Sequence, residues 1–344
     1  MTLQSTSRSR RLGFRVVQGA TVVLIALLAL HMARGVDAAH PATWNETAGD
    51  ATSLGSFAKL APAYRGVLTF ATTGNGDPFH PAMVQDLDLT SGNLSVRFNG
   101  LDASRGRNGE TAYLQRLAPG VYAPHAVVVA DTRGVPGQPL FICDKFNSSS
   151  NRVCGGPKVS PDGRLVAFAS VGSGTYCEGG YGMKWGTFVN VVDRRGNKVA
   201  SFEGYNESEW LPDGRLLVLG SACRMGGIYV TDRAMQSLSR IDDGQVSMPA
   251  SSPAVRPDGK VLAFVWNNQL WSMSLTGKPE LTQLTNLAKP VSAGAWSPDG
   301  SALAVIMFDV SMPVRSLVLF KPGDEKSVVV RQLGVYPYGP VSWR

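Results

Sequence analysis

The chain has 344 residues, 44% of them hydrophobic and 17% charged, which excludes disorder along its whole length and leaves room for one large or two ordinary domains. Its formal charge of +7 would suit nucleic acid or a membrane surface, but Arg8, Arg10, Arg11, Arg15 and Arg34 all lie in the first 34 residues. Without those five about +2 remains, and no nucleic acid is expected as a partner.

In chain order, "RSRRLGFR" is a basic opening, Val16 to Ala33 is an apolar stretch of 18 residues, and "GVDAAHPA" supplies the small residues that signal peptidase cleaves, after Ala38. The apolar stretch contains Gln18 and His31 and falls short of the roughly 20 residues of a spanning helix. Residues 1–38 therefore read either as a cleaved signal peptide or as a retained signal anchor. In both cases the basic end stays in the cytoplasm and the rest is translocated. That makes the protein periplasmic or secreted, tethered in the second case to the inner or plasma membrane by residues 16–33. Residues 39–59 read as a linker.

From residue 60 onward, short runs of Val, Leu, Ile and Phe are punctuated by Gly, Asp, Asn and Pro, which predicts an all-β chain. One stretch recurs: "VSPDGRLVAFAS" at 159–170, "WLPDGRLLVLGS" at 210–221, "VRPDGKVLAFVW" at 255–266 and "WSPDGSALAVIM" at 296–307. Pro161, Pro212, Pro257 and Pro298 stand 51, 45 and 41 residues apart, a period that suits propeller blades. In each copy Pro presets φ, Gly accepts positive φ, and the Asp side chain bonds nearby backbone N–H groups. Asp162, Asp213, Asp258 and Asp299 are accordingly read as turn residues, not as a ring of acids. Trp210, Trp296 and Trp343, at the strand end before the turn, are expected to pack between blades. A third strand such as "TFVNVVD" and a fourth such as "KVASFE" follow each hairpin, giving four strands per blade.

"LAPAYRGVLTFATT" at 60–73 and "LAPGVYAPHAVVVADT" at 117–132 read as degenerate copies. Six blades are thus expected, starting near residues 60, 110, 152, 205, 247 and 289. "GPVSWR" at 339–344 supplies the strand that blade one lacks, so the C-terminal strand should close the ring and leave no open sheet edge.

The "SPDG" and "RPDG" hairpins followed by "LAF" or "LAV" resemble the WD-like repeats of TolB-type propellers, over residues 60–344. The resemblance implies a six-bladed, all-β propeller. It does not extend to the α/β domain that precedes the propeller in TolB, because residues 34–59 are too few for one, and TolB's own envelope role is therefore not carried over. It also implies that the loops joining second and third strands form one rim, opposite the Pro-Asp-Gly turns. Those loops read "TTGNGDPFHPAM", "DTRGVPGQ", "GSGTYCEGGYGMKWG", "GSACRMGG", "WNNQ" and "MFDVSMPVRS".

Loops on a rigid scaffold are where binding usually sits. The third loop carries Tyr176, Tyr181, Lys184 and Trp185, and the fourth carries Arg224 and Met225. Aromatic and basic groups together are what interface hot spots are made of, so these six are the candidate binding residues. The four cysteines all follow the apolar stretch, and an even count in an exported chain predicts disulfides. On the implied fold, Cys143 should pair with Cys154 and Cys177 with Cys223, the second bond pinning the third loop to the fourth. Zinc is disfavoured by the lack of CxxC and by only His40, His80 and His125 beyond the signal. Sequons at Asn45, Asn93, Asn147 and Asn206 matter only in a host that glycosylates.

Enzyme readings find little to stand on. There is no G-x-S-x-G elbow and no chain after the propeller for a hydrolase domain, and His80 and His125 read as loop or packing residues. The expected function is recognition, by a monomer without cofactor, of a protein or cell-envelope component through the loop rim. The alternative is a small-molecule hydrolase or cyclase-type propeller with a metal, calcium for instance, in the central channel. Glu178, Glu207, Glu209, Asn267 and Asp309 are the loop residues it would draw on.

Overall fold

Each Pro-Asp-Gly stretch closes a β-hairpin by the same pair of backbone bonds. At the first, Ser160 N donates to Leu165 O at 2.9 Å and Gly163 N to Ser160 O at 2.9 Å. Gly163 sits at φ +75°, where a Cβ would be strained and would stand 2.7 Å from Asn108 Nδ2. Asp162 Oδ1 accepts from Arg164 N at 3.1 Å and from Ser160 Oγ at 2.6 Å. Those hydrogen bonds, the Ser160 one foremost, hold the Asp162 carboxyl below its usual range. Asp213, Asp258 and Asp299 each accept from the backbone N–H two residues on, at 3.1, 3.0 and 3.0 Å.

The computed structural model describes residues 64–73, 82–118, 124–143, 153–173, 185–221, 226–285, 291–308, 315–323, 327–330 and 336–344. The signal segment 1–38 and the linker 39–59 lie outside the described residues. All described residues fall in the unit Ala42–Arg344.

Among them, 24 strands form six four-stranded antiparallel sheets. Blade one holds β1 (Val67–Thr73), β2 (Ala82–Asp88) and β3 (Leu94–Asn99); blade two holds β4 (Leu101–Arg105), β5 (Thr111–Arg116), β6 (His125–Ala130) and β7 (Phe141–Cys143). Blade three holds β8 (Val153–Val159), β9 (Leu165–Ser173), β10 (Trp185–Asp193) and β11 (Lys198–Glu203); blade four holds β12 (Tyr205–Trp210), β13 (Leu216–Gly220), β14 (Ile228–Thr231) and β15 (Leu238–Arg240). Blade five holds β16 (Ser251–Val255), β17 (Val261–Trp266), β18 (Gln269–Ser274) and β19 (Leu281–Gln283); blade six holds β20 (Val291–Trp296), β21 (Leu303–Phe308), β22 (Arg315–Phe320) and β23 (Ser327–Val330). The last strand, β24 (Tyr336–Trp343), pairs with β1 and supplies the inner strand of blade one, the expected closure.

Blade two corrects the sequence expectation. Its inner strand is β4 and its turn is Gly106–Glu110, not a hairpin built on 117–132. Gly106 N donates to Glu110 O at 2.8 Å and Gly109 N to Gly106 O at 3.1 Å, the same bond pair as in the Pro-Asp-Gly turns. Asn108 Oδ1 takes the aspartate's part by accepting from Glu110 N at 3.2 Å. "DTRGVPGQ" consequently joins the third and fourth strands and lies on the turn rim, while the second-to-third-strand loop of this blade is 117–124.

The core sits between blades. In β17, Leu262 and Phe264 belong to the cluster shared with blade four, while Ala263 and Val265 belong to the one shared with blade six. Alternate side chains of a strand point to opposite faces, and both faces are covered. This is why "VLAFVW" and its copies read as unbroken apolar runs. The indoles sew blades together as expected: Trp210 Nε1 donates to Lys158 O in blade three and Trp296 Nε1 to Ala254 O in blade five, each at 3.0 Å. Trp343 Nε1 donates instead within its own blade, to Arg65 O at 2.8 Å.

Candidate functional site

The inner strands β24, β4, β8, β12, β16 and β20 neighbour one another in that order and surround the axis. Each slips register once against its partner: at Leu101/Ser104, Gly155/Lys158, Tyr205/Glu207, Ser251/Ala254 and Ser292/Gly294, and in β24 opposite Phe70/Ala71. Such a bulge leaves residues unpaired in its own ladder and re-aims them. At three of these bulges Asp102, Gly156 and Ser252 take φ of +47°, +55° and +54°.

The freed groups are used between blades. Gly156 N in blade three donates to Asp102 Oδ2 in blade two at 3.3 Å. Ser252 N in blade five donates to Glu207 Oε2 in blade four. Arg105 N in blade two donates to Ser342 Oγ of the closing strand at 3.0 Å. Lys158 Nζ reaches Glu209 Oε2 at 2.6 Å and Pro253 O at 3.3 Å, so one ammonium links blades three, four and five. On the turn rim, Arg107 Nη2 of blade two donates to Pro257 O of blade five at 2.9 Å.

Two of these carboxyls titrate unusually. Burial pushes Asp102 up to about 6, with the Gly156 N–H pulling the other way. Glu207 is also raised, by burial first and further by the charge of Asp102, against the Ser252 N–H and Lys158. Lys158 and Glu209 are 12% and 23% exposed at their side chains, so their pair is mostly desolvated.

This set does not fit a channel calcium. Glu209 faces an ammonium, and Asp102 and Glu207 are turned to backbone N–H groups of the next blade; no group of three or more His, Cys, Asp and Glu side chains that could hold a metal forms among the described residues. Glu207 and Glu209, expected on a loop, stand on inner strand β12. Asn267 lies with Asn268 in the two-residue turn between β17 and β18, at φ +50° and +62°. Glu178, Asp309 and His80 lie outside the described residues. His125 begins β6 opposite Cys143, and burial, aided by the charge of Arg116, lowers its pKa. Sequence reasoning missed Asp102 and Lys158, because nothing in the letters marks an inner-strand bulge.

At the loop rim, the six candidate binding residues are reached only at their roots. Tyr176, Tyr181, Lys184, Arg224 and Met225 lie outside the described residues, as do Cys177 and Cys223. The backbone of Trp185 opens β10, opposite Ser173. The roots of the two loops are joined through Gly204, whose N–H donates to Thr187 O at 2.8 Å and whose carbonyl accepts from Ser221 N at 2.9 Å. The other expected bond, Cys143–Cys154, is present, fastening β7 of blade two to β8 of blade three with Cα atoms 5.9 Å apart.

No family model matches this chain, and no curated protein does. Solved structures do. TolB from Acinetobacter baumannii is 15% identical with a TM-score of 0.61, the match covering 81% of this chain and 66% of that one, just under two thirds. Kuenenia stuttgartiensis hydrazine synthase is 12% identical with a TM-score of 0.58, over 85% of this chain and 49% of that one. A chain of the nidogen/laminin complex is 11% identical with a TM-score of 0.54, over 81% of this chain and 98% of that one. At these identities what is shared is the fold, and the fold of this chain is a TolB-like β-propeller.

Proposed function

We propose that the chain is an exported propeller, with residues 16–33 as its signal or anchor, that recognises a protein or cell-envelope component through its loop rim. The observation that carries this reading is the Gly204 linkage, which holds the roots of the two loops bearing Tyr176, Tyr181, Lys184, Trp185, Arg224 and Met225 side by side. An aromatic and basic set mounted on adjacent rigid strands suits protein recognition. The Cys143–Cys154 bond suits an oxidising compartment, and one chain of the nidogen/laminin complex, by name an assembly of two proteins, shares this fold.

One observation favours the enzyme alternative, the carboxyl of Asp102 at about 6 in the channel. Against it, Lys158 and Arg107 both bridge blades across the ring, and the acids are spent on inter-blade bonds. The test is capture from a detergent extract of the host envelope on immobilised protein. Trp185→Ala and Arg224→Ala should each reduce the captured partner about tenfold or more while leaving the melting temperature unchanged. Capture that is equal for both variants and wild type would overturn the rim assignment, and turnover of lactone or ester substrates would favour the alternative.

A further inference from the structure

Three guanidinium groups gather around one carboxylate at the seam between blades one and two. Asp86 on β2 accepts through Oδ2 from Arg97 Nη1 at 2.9 Å and Arg105 Nη1 at 3.3 Å, and through Oδ1 from Thr69 Oγ1. Arg97 also donates to Thr132 O at 3.1 Å, and Arg105 Nε to Gly109 O at 3.4 Å. The third guanidinium belongs to Arg344, directly after the closing strand, whose backbone N–H donates to Val67 O at 3.0 Å. Its Nε and Nη2 are buried and meet no hydrogen-bond partner among the described residues. Burial, then the charges of Arg105 and Arg97, draw its pKa down to about 10, with Asp86 opposing.

Three guanidinium groups share the one side-chain carboxylate of Asp86, which leaves positive charge in excess where the side chains of Arg97, Arg105 and Asp86 are 10%, 18% and 16% exposed. Buried donors without acceptors cost free energy, and native proteins meet them with a water or an ion. A water accepts the hydrogen bonds but leaves the charge uncompensated; an anion does both. The guanidinium fork matches the oxygen spacing of an oxyanion. Gly109, at φ +95°, lets the blade-two turn pass close to this guanidinium: a Cβ there would come within 2.8 Å of Thr132 Cγ2 and 3.7 Å of Arg344 Nη1.

We propose that this seam is an anion-binding site in which Arg344, flanked by Arg97 and Arg105, takes a small inorganic oxyanion of the phosphate or sulfate type. Because Arg344 directly follows the closing strand, the bound anion reinforces ring closure.

The test is calorimetric titration of inorganic phosphate into the protein in chloride-free buffer at constant ionic strength. One saturable site is expected. Arg344→Gln should weaken it about 10- to 100-fold. Asp86→Asn, which removes the competing negative charge, should tighten it. Arg133→Gln should leave it unchanged, since Arg133 is exposed and paired with Asp131 on the same rim. Absence of saturable heat in the wild type, or equal affinity in wild type and a folded Arg344→Gln, overturns the proposal. If Arg344→Gln does not fold, Asp86→Asn decides, and affinity that is unchanged or weaker there overturns it.

Discussion

The seam between blades five and six and the seam between blades one and two are held by different chemistry. The first buries a cluster of 11 described hydrophobic residues, with Trp296 wedged in and its indole N–H satisfied by Ala254 O. The second buries 6, three of them Ala103, Ala126 and Ala130, and packs Phe98 against Tyr113 with ring centroids 4.5 Å apart and planes tilted by 45°. Small side chains give little area to remove from water, and free energy scales with that area. At the thin seam the deficit is met by Asp86, Arg97 and Arg105, and by the Ser342 hydroxyl on Arg105 N. Apolar packing can be repeated from blade to blade, whereas a polar network belongs to one place.

The largest test of that contrast is truncation. Trp296→Ala should cost about 3–5 kcal/mol in urea unfolding, from lost burial and the cavity left behind. Val128→Ala in the thin seam should cost about 2 kcal/mol or less. Equal losses would break the comparison.

The seam between blades two and three adds a covalent tie. Cys143 and Cys154 are 11 residues apart, so replacing both with Ser should cost about 3 kcal/mol, mainly by freeing the unfolded chain. The check is the melting of the Cys143→Ser, Cys154→Ser double variant beside the oxidised wild type. A melting temperature within a degree of wild type would show that the apolar cluster around Phe168 holds this seam alone.

The same division decides what could be read from the letters. Blades three to six were legible because Pro161, Pro212, Pro257 and Pro298 mark turns whose geometry demands Pro and Gly in that order. The closing strand was legible because Val341 and Trp343 repeat the strand that precedes such a turn. Blade two was misplaced because Gly106–Glu110 makes the turn with Arg107 for Pro and Asn108 for Asp, preserving the hydrogen bonds and losing the signature. The channel and the arginine seam were not legible at all. Asp102, Lys158 and Glu207 come together from three different blades, and Asp86, Arg97 and Arg105 of the first two blades meet Arg344 after the closing strand. Their meeting follows from ring closure and bulge geometry, which no local pattern encodes. For the loop rim, the sequence placed Trp185 beside the fourth loop, and the described strands supply the roots alone.

The smallest expected effect separates two kinds of polar tie. Asp86 meets guanidinium groups, whereas Asp102 meets one backbone N–H and is otherwise desolvated. With a folded value of about 6 against 3.8 unfolded, the folded state holds the proton more tightly. Stability therefore falls as pH rises from about 4 to 6, and the cost is complete above that window. Asparagine keeps the acceptor for Gly156 N and tolerates the φ of +47°, but carries no charge to desolvate. Asp102→Asn should thus stabilise by about 1–2 kcal/mol at pH 7.5, less than the full shift because the protein relaxes around a buried charge. At pH 3.5 the gain should vanish, because wild-type Asp102 is then protonated in the folded state. Differential unfolding at the two pH values measures this directly. A variant less stable than wild type at pH 7.5 would mean that the ionised Asp102 carboxylate stabilises the ring, as Asp86 does at its own seam.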